Sequence, residues 1–366
     1  MPRSNVVTIA ARIKAEREAD LASLVSSSIM NGAGTAVERI EGQARELGGA
    51  IRELGGMVTG LRVRRLYNYR ALLDVVGSEV NAMASRSYDL LEANRTLLYA
   101  AGGEGMAELL AAQYTGDPEL IQAMIQGRVT AVPMHKDYMI ASDTMRRKFD
   151  ALAVTTEEYV GDKIENLASL SQLVDPGNSV MTLATDGFGT AVAWATSMIS
   201  MAYWSMFLLG MSAGIQNNAN LTEGWVWWSR LDSKVCPSCI SLHGQMFSVN
   251  DVMVDHPHGR CIPIPVVKDD LLGGYIFDDD NTTLPPVPEP WWPDETGEEW
   301  FAGLDPEMQQ EILGPAAYAA WLAGAIELSS LSVDAEHDVY GTMKATTSLT
   351  HAIGAEAAKR FSLQGE

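Results

Sequence analysis

The chain has 366 residues, of which 47% are hydrophobic, and a formal net charge of −21 at pH 7. This length and apolar content suffice for two or three domains with buried cores. The negative charge is concentrated at the end, because residues 269–366 contain 19 acidic and 3 basic residues. A surface of that sign repels phosphate backbones, so we expect no strong direct nucleic-acid binding by the tail.

The first 180 residues are predicted to be helical. Apolar residues recur three and four positions apart from Val6 to Val25, which indicates an amphipathic helix that breaks near Asn31 and Gly32. A second helix is predicted through Val37–Ile51, and its glycine pairs at 48–49 and 55–56 indicate an end or a kink.

Further helices follow in the same region. The order Asp117, Pro118, Glu119 is typical of a helix start, and another long helix is predicted from about residue 137 to residue 172. These helices contain no catalytic constellation. A basic cluster at 62–65 is either a solvated helix face or a contact for an acidic partner or DNA.

Residues 187–222 contain no charged residue. A segment near 189–215 is long enough to span a bilayer, which needs about 20 residues, but Ser, Thr, Ala and Gly dilute it and no Lys or Arg flanks it. We therefore predict a buried or subunit-interface helix at 181–223, and any membrane contact would be through 189–215.

All three cysteines lie within 26 residues, in the sequences CPSC at 236–239 and HPHGRC at 256–261. A C-x2-C turn presents two thiolates on one side, and a later His and Cys can close a tetrahedron around zinc. An odd number of cysteines cannot all form internal disulfides, and the N-terminus has no signal-peptide pattern, so we expect a reducing compartment. The alternative is three unligated, partly buried thiols.

Short strands are predicted around these motifs. Residues 225–228 precede the CPSC turn, residues 245–249 are β-prone, and alternate prolines keep 262–267 extended. A hairpin of this size has little core, so a metal crosslink would supply much of its folding free energy. Four protein ligands leave no open coordination position, which indicates a structural ion.

Beyond Asp269 the chain is predicted to be an acidic, proline-rich linker that stays extended. Asp305, Pro306 and Glu307 indicate a short helix that ends at Gly314, and Pro315 opens another that runs to about 324. Residues 334–366 are predicted to form a last helix with frayed ends.

The residues around the cysteines resemble the phage Mu F-like head morphogenesis proteins, a family of minor head proteins. In that family a Trp and an Asp precede a CPxC turn, a Leu-x-Gly follows it, and an HPxxRC segment closes the domain. The matching residues are Trp228, Asp232, Cys236, Cys239, Leu242, Gly244, Phe247, His256, Arg260 and Cys261. Many members have a Cys before the Arg, and here that residue is Gly259.

The resemblance implies a ligand set of Cys236, Cys239, His256 and Cys261, with His258 as a substitute for His256 and zinc as the structural ion. His243 is interpreted as a turn residue. A second resemblance covers TGEEWF at 296–301 and the sequence from 304 to 324, since similar tails follow this module in many minor head proteins. Together the two cover about 224–331.

The predicted fold is mainly α, with a long N-terminal helical region, a small α+β zinc-binding module, and an acidic, partly extended C-terminal tail with short helices. The predicted divisions are a helical region at 1–180, the apolar helix at 181–223, the zinc module at 224–268, the acidic linker at 269–295 and short helices at 296–366.

The resemblance implies a non-enzymatic minor head protein of a tailed phage, present in multiple copies in the virion and in the host cytoplasm during assembly. It would contact the portal protein or the major capsid protein through the helical half, act in procapsid assembly, and take part in genome packaging or ejection. The flexible linker would let the tail reach a second partner.

Two other classes stay open at this point. A zinc-dependent hydrolase would use Glu223 or Asp255 as its base and needs an open coordination position. A nucleic-acid-binding zinc module would need basic residues near the ligands, and the nearby ones are Arg230, Lys234, Arg260 and Lys268.

Overall fold

The computed structural model describes residues 2–54, 58–115, 118–126, 136–169, 175–256, 259–268, 287–337 and 341–362. The predicted mainly α fold is confirmed, with small sheets that include the Cys/His region. The helices are α1 Pro2–Val25, α2 Ala33–Glu53, α3 Gly60–Arg64, α4 Tyr67–Ala111, α5 Pro118–Gln126, α6 Lys136–Ser169, α7 Pro176–Asn217, α8 Pro237–Leu242, α9 Gly297–Ala302, α10 Pro306–Leu313, α11 Pro315–Leu322, α12 Leu349–Ile353 and α13 Ala355–Ser362.

The strands form three small antiparallel sheets. They are β1 Tyr114–Thr115, β2 Thr222–Trp228, β3 Met246–Ser248, β4 Ile262–Val267, β5 Val287–Pro288, β6 Ser332–His337 and β7 Gly341–Thr346. The largest sheet has the order β3-β2-β4, while β1 pairs with β5 and β6 pairs with β7. The strands predicted around the cysteines are therefore present.

The N-terminal helices agree with the sequence pattern. A π-helical turn, Ser26–Met30, follows α1, and α2 begins after Gly32, whose φ of 99° is unfavourable for residues with a Cβ. The glycine pair 48–49 lies inside α2, while residues 55–57 lie outside the described residues. Pro118 begins α5 as expected, whereas Asp117 and the predicted helix end at 170–172 are not described.

One compact unit comprises Ala19–Asn94 and Lys136–Ala202. Its core contains the ring of Phe149, which packs edge-on against Trp194 at 5.3 Å between centroids. The guanidinium of Arg64 donates two hydrogen bonds, of 2.7 and 2.6 Å, to Glu165, and the hydroxyl of Tyr69 donates a third. These bonds join α3 and the start of α4 to α6.

The second unit comprises Met1–Glu18, Arg95–His135 and Tyr203–Glu366. Glycines permit close contact between α4 and α7 in this unit. A Cβ at Gly102 would overlap the carbonyl oxygen of Phe207, and a Cβ at Gly210 would overlap that of Tyr99. The small residues of the apolar run therefore serve backbone contact between helices.

Gln113 connects the end of α4 to the sheet region of the same unit. Its buried side-chain amide donates to the Pro265 carbonyl at 2.5 Å and accepts from the backbone N–H groups of Val267 and Trp291. Its own carbonyl accepts from Glu289 at 2.7 Å. One amide thus fixes β4 and the segment that follows β5.

The apolar helix α7 is long and apolar enough to cross a membrane by length and composition. In the described structure 89% of its most apolar window is buried. Such burial is typical of a core helix, as predicted for the run 187–222, and membrane contact through 189–215 stays a prediction.

The C-terminal region differs from the sequence prediction. The expected last helix at 334–366 is wrong, since β6 and β7 form a hairpin there and two short helices follow. Gly341 and Gly354 adopt φ values of 69° and 82°, which a continuous helix cannot contain. The helix predicted after Asp305 is confirmed, because the Asp305 carboxylate accepts from the Met308 N–H at 2.9 Å.

The tail elements that follow the linker predicted at 269–295 contact α8, and of that linker residues 287–295 are described. The Gly297 N–H donates to the His243 carbonyl, and the Ser238 hydroxyl is 2.7 Å from that of Ser332. The C-terminal elements therefore pack on α8. The predicted linker at 269–286 lies outside the described residues.

A prediction follows from the helix contact at Gly48. A Cβ there would overlap the backbone of Gly177, so Gly48→Ala should lower the free energy of unfolding by about 1–3 kcal/mol. A Cβ at the neighbouring Gly49 would meet nothing within 4 Å, and Gly49→Ala should raise stability by up to about 1 kcal/mol. Urea unfolding would measure both, and equal effects of the two substitutions would contradict the packing.

Candidate metal centre

The CPSC sequence forms the first turn of α8. Cys236 is the N-cap residue, its φ and ψ are −85° and 156°, and its sulfur accepts from the Cys239 N–H at 3.3 Å. Pro237 occupies the first helical position, where a missing N–H costs nothing. The capping geometry therefore brings the thiols of Cys236 and Cys239 to the same side of the turn.

The imidazole of His256 faces both thiols. Its Nε2 atom is 3.1 Å from the Cys236 sulfur and 3.2 Å from the Cys239 sulfur. In tetrahedral zinc sites, bond lengths of about 2.3 and 2.0–2.1 Å place sulfur and nitrogen about 3.6 Å apart. The three ligand atoms lie within 4.8 Å of one another, and this cluster can hold a metal ion.

A second group of ligand atoms shares Cys239 with the first. It contains Cys239, Asp255 and Cys261, whose atoms also lie within 4.8 Å of one another. The structure thus brings all four predicted ligands to one place, while His258 lies outside the described residues. All three cysteines are free thiols.

Sequence reasoning did not include Asp255 among the ligands. Its side chain is 4% exposed, and its carboxylate accepts backbone hydrogen bonds from His256 at 2.8 Å and Cys261 at 3.1 Å. The sequence did contain a signal, because an acid directly before His256 lies inside the ligand segment. A motif search for His and Cys alone does not use it.

Gly259 is explained by this carboxylate. A Cβ at position 259 would overlap the Cγ and both oxygens of Asp255. Any larger residue would displace the carboxylate from its place beside Cys239. The Gly at this position, where the resemblance leads one to expect a Cys, is therefore a steric requirement of Asp255.

Ser229, directly after β2, contacts two of the three cysteines. Its hydroxyl lies 2.7 Å from the Cys239 carbonyl and 3.2 Å from the Cys261 sulfur. Its N–H donates to Nδ1 of His243 at 3.0 Å. His243 ends α8 and is 6% exposed, so it is a buried hydrogen-bond acceptor and belongs to neither group of ligand atoms.

An ion pair closes the other side of the centre. The two terminal nitrogens of the Arg260 guanidinium donate hydrogen bonds to the Asp232 carboxylate, at 2.9 and 2.6 Å. The Arg260 guanidinium thereby holds the pKa of that carboxyl below its usual value. Arg230 also contacts Asp232, at 3.2 Å. The pair connects the loop after β2 to the loop before β4.

The thiols and the carboxyl have shifted pKa values. Hydrogen bonding from the Cys239 thiol and from His256 lowers the pKa of Cys236 to about 4, whereas donating to Cys236 raises that of Cys239. Burial raises the pKa of Asp255. The site therefore favours a thiolate at Cys236, which is the form that binds metals.

The cavity at the centre is small. It has a volume of about 20 Å³ and is lined by Ser229, Arg230, Lys234, Val235, Cys236, Cys239, His256, Gly259, Arg260 and Cys261. A water molecule needs roughly 10–15 Å³ by this measure. The cavity therefore has room for an ion between its lining residues.

Comparisons of the chain with family models, with curated proteins and with solved structures found no match.

A metal-content measurement tests the cluster. The full chain should bind about one zinc-type ion, and Cys239→Ser should lower the bound metal to a small fraction of that, because Cys239 belongs to both groups of ligand atoms. Ser241→Ala is the matched control on α8, where the hydroxyl bonds the Ser238 carbonyl and faces no ligand atom of either group. Equal metal in Cys239→Ser and wild type, by elemental analysis, would rule the cluster out.

A pH experiment tests the buried His243. Burial lowers its pKa to about 4, against about 6.5 unfolded, so the unfolded state binds more protons between those values. The free energy of unfolding should have its full value above pH 6.5 and should fall by roughly 3 kcal/mol as the pH decreases towards 4. His243→Asn keeps an acceptor for the Ser229 N–H but does not titrate. Its free energy of unfolding, measured in urea with excess zinc, should therefore decrease less with falling pH than that of the wild type. Identical pH profiles would contradict this assignment.

Proposed function

We propose that this chain is a minor head protein of a tailed phage, in which a structural zinc ion stabilises a small assembly module. One observation carries the proposal: the Cys and His residues of the resemblance meet in two groups of metal-binding atoms that share Cys239. Cys236, Cys239 and His256 form the first of these groups. Asp232 and Arg260, distant in sequence, pair beside it.

The other residues of the resemblance have roles in the same module. Gly244 adopts a φ of 85°, which permits the sharp exit from α8. Phe247 stacks on Trp225 at 4.4 Å between centroids with a 12° interplanar angle. Leu242 is 6% exposed. These are packing and backbone roles, which is what a structural module requires.

The sheet at this site is small, so a crosslink has a large effect on its stability. Strands β2, β3 and β4 have 7, 3 and 6 residues. A bound ion would join α8 to the loop that precedes β4, and such binding adds directly to folding free energy. Zinc is proposed because two thiolates and an imidazole are its preferred ligands.

The chemistry of the site supports a structural ion over the two alternatives. A hydrolase needs an open coordination position at the metal, whereas the donors of Cys236, Cys239 and His256, with a fourth from Asp255 or Cys261, can close a tetrahedron. A nucleic-acid module needs free positive charge, whereas Arg230 and Arg260 both contact the Asp232 carboxylate. The acidic tail opposes phosphate binding further.

In this proposal the long helices contact the portal protein or the major capsid protein, and several copies enter each virion. The chain acts in procapsid assembly near the portal, in the host cytoplasm. The helices supply extended faces for such contacts, among them α4 with 45 residues and α6 with 34 residues.

The experiment is reconstitution of capsids with the portal and major capsid proteins of the same phage. Wild-type protein should enter the particles, and Cys236→Ser/Cys239→Ser should enter at least about 10-fold less, since the module loses its crosslink. Ser241→Ala is the control for expression and folding, and should enter normally. Sedimentation and gel analysis measure incorporation; absence of the wild-type chain from particles would contradict the proposal.

A further inference from the structure

We propose that Asp255 is a direct ligand of the metal ion and takes the fourth position with Cys236, Cys239 and His256, while Cys261 stays outside the coordination sphere. This inference rests on the metal centre of the proposed function and names its ligand set. It replaces the sulfur of the sequence-derived set by a carboxylate oxygen.

The distances place the carboxylate among the ligand atoms. Oδ1 of Asp255 lies 3.6 Å from Nε2 of His256 and 3.9 Å from the Cys239 sulfur. Ligands of one tetrahedral zinc ion are separated by about 3.4 Å for nitrogen and oxygen and about 3.6 Å for sulfur and oxygen. An ion bound to Cys239 and His256 can therefore reach Oδ1 with little movement of the side chain.

The ring nitrogen of His256 that Asp255 approaches indicates whether the carboxylate is a metal ligand or a residue that only orients the imidazole. A carboxylate that orients a ligating His accepts a hydrogen bond from the ring nitrogen pointing away from the metal. Here Oδ1 approaches Nε2, the nitrogen that also faces the sulfurs of Cys236 and Cys239. The carboxylate thus lies on the metal-binding side of His256.

The burial of Asp255 favours a cation beside its carboxylate. Its side chain is 4% exposed, and among the described residues the basic group within 4 Å of its carboxylate is His256. A buried carboxylate without a positive partner is strongly disfavoured. A divalent ion coordinated by Oδ1 supplies that partner, while the backbone N–H groups of His256 and Cys261 hold the carboxylate in place.

Space and hydrogen bonding agree with this assignment. Gly259 leaves room for the carboxylate, since a Cβ there would overlap it. Cys261 is 3% exposed, and its sulfur already has the Ser229 hydroxyl at 3.2 Å. The Cys261 sulfur therefore has a hydrogen-bond partner within the protein without a metal bond. Two thiolates and one carboxylate give the zinc centre the same total charge as three thiolates.

The first experiment is zinc K-edge X-ray absorption on the zinc-loaded full chain. The expected first shell has two sulfur atoms at about 2.3 Å and two nitrogen or oxygen atoms at about 2.0–2.1 Å. Three sulfurs and one nitrogen would overturn the inference and assign Cys261, leaving the structural zinc intact. Absence of bound zinc would overturn the metal centre of the proposed function itself.

The second experiment compares matched variants by cobalt titration. Asp255→Asn should weaken metal binding by more than about 100-fold, beyond the 10–100-fold loss typical of supporting residues. Cys261→Ser should weaken it by less than about 10-fold and leave the sulfur-to-cobalt charge-transfer absorption per bound ion unchanged. Loss of about a third of that absorption in Cys261→Ser, or near-normal affinity in Asp255→Asn, would overturn the inference. If a variant fails to fold, the X-ray absorption measurement on the wild-type chain decides between the two ligand sets.

Discussion

The burial of thiols, an imidazole and a carboxylate in one small volume is the constraint on which this module depends. Water is largely excluded from these groups, so their charges need a partner within the protein. A divalent ion, which the cluster of Cys236, Cys239 and His256 could hold, would meet that need and act as a crosslink. The three-stranded sheet, with its short β3, offers little hydrophobic core that could replace such a crosslink.

The residues around the cluster fix its shape in two directions. Ser229 connects the end of β2 to Cys239 and to His243, which ends α8. Asp232 and Arg260 connect the two loops that border the cavity. Each of these contacts joins residues far apart in sequence, so ligand geometry depends on the folded module as a whole.

Local patterns predicted the local structure well. The CPSC sequence was predicted as a turn that presents two thiolates on one side, and the structure shows that this turn begins α8, with Cys236 as its cap and Pro237 at the first helical position. The pattern of a capping acid followed by a proline located the start of α10 at Asp305. The helix predicted at 334–366 was wrong because the prediction did not treat Gly341 as a break, and β6 and β7 form a hairpin there.

The site was only partly predictable for a different reason. The position of Asp255 directly before His256 was a signal, but that its carboxylate turns inwards beside Cys239 also depends on the absence of a side chain at Gly259. The hydrogen bonds of Gln113 to β4 and to Trp291 are invisible in the sequence, since they span more than 150 residues of chain. The family and function stay predictions.

Helix α8 contributes to the candidate metal centre and also contacts the C-terminal region. One end carries Cys236 and Cys239, and the same six residues contact the C-terminal region through Ser238, whose hydroxyl meets Ser332 and whose N–H meets Thr346. A Cβ at Gly297 would overlap the Ile240 carbonyl, so α9 lies directly on this helix. Packing of the acidic end of the chain is thereby linked to the turn that carries the cysteines, so a disturbance of that turn should also loosen the C-terminal elements.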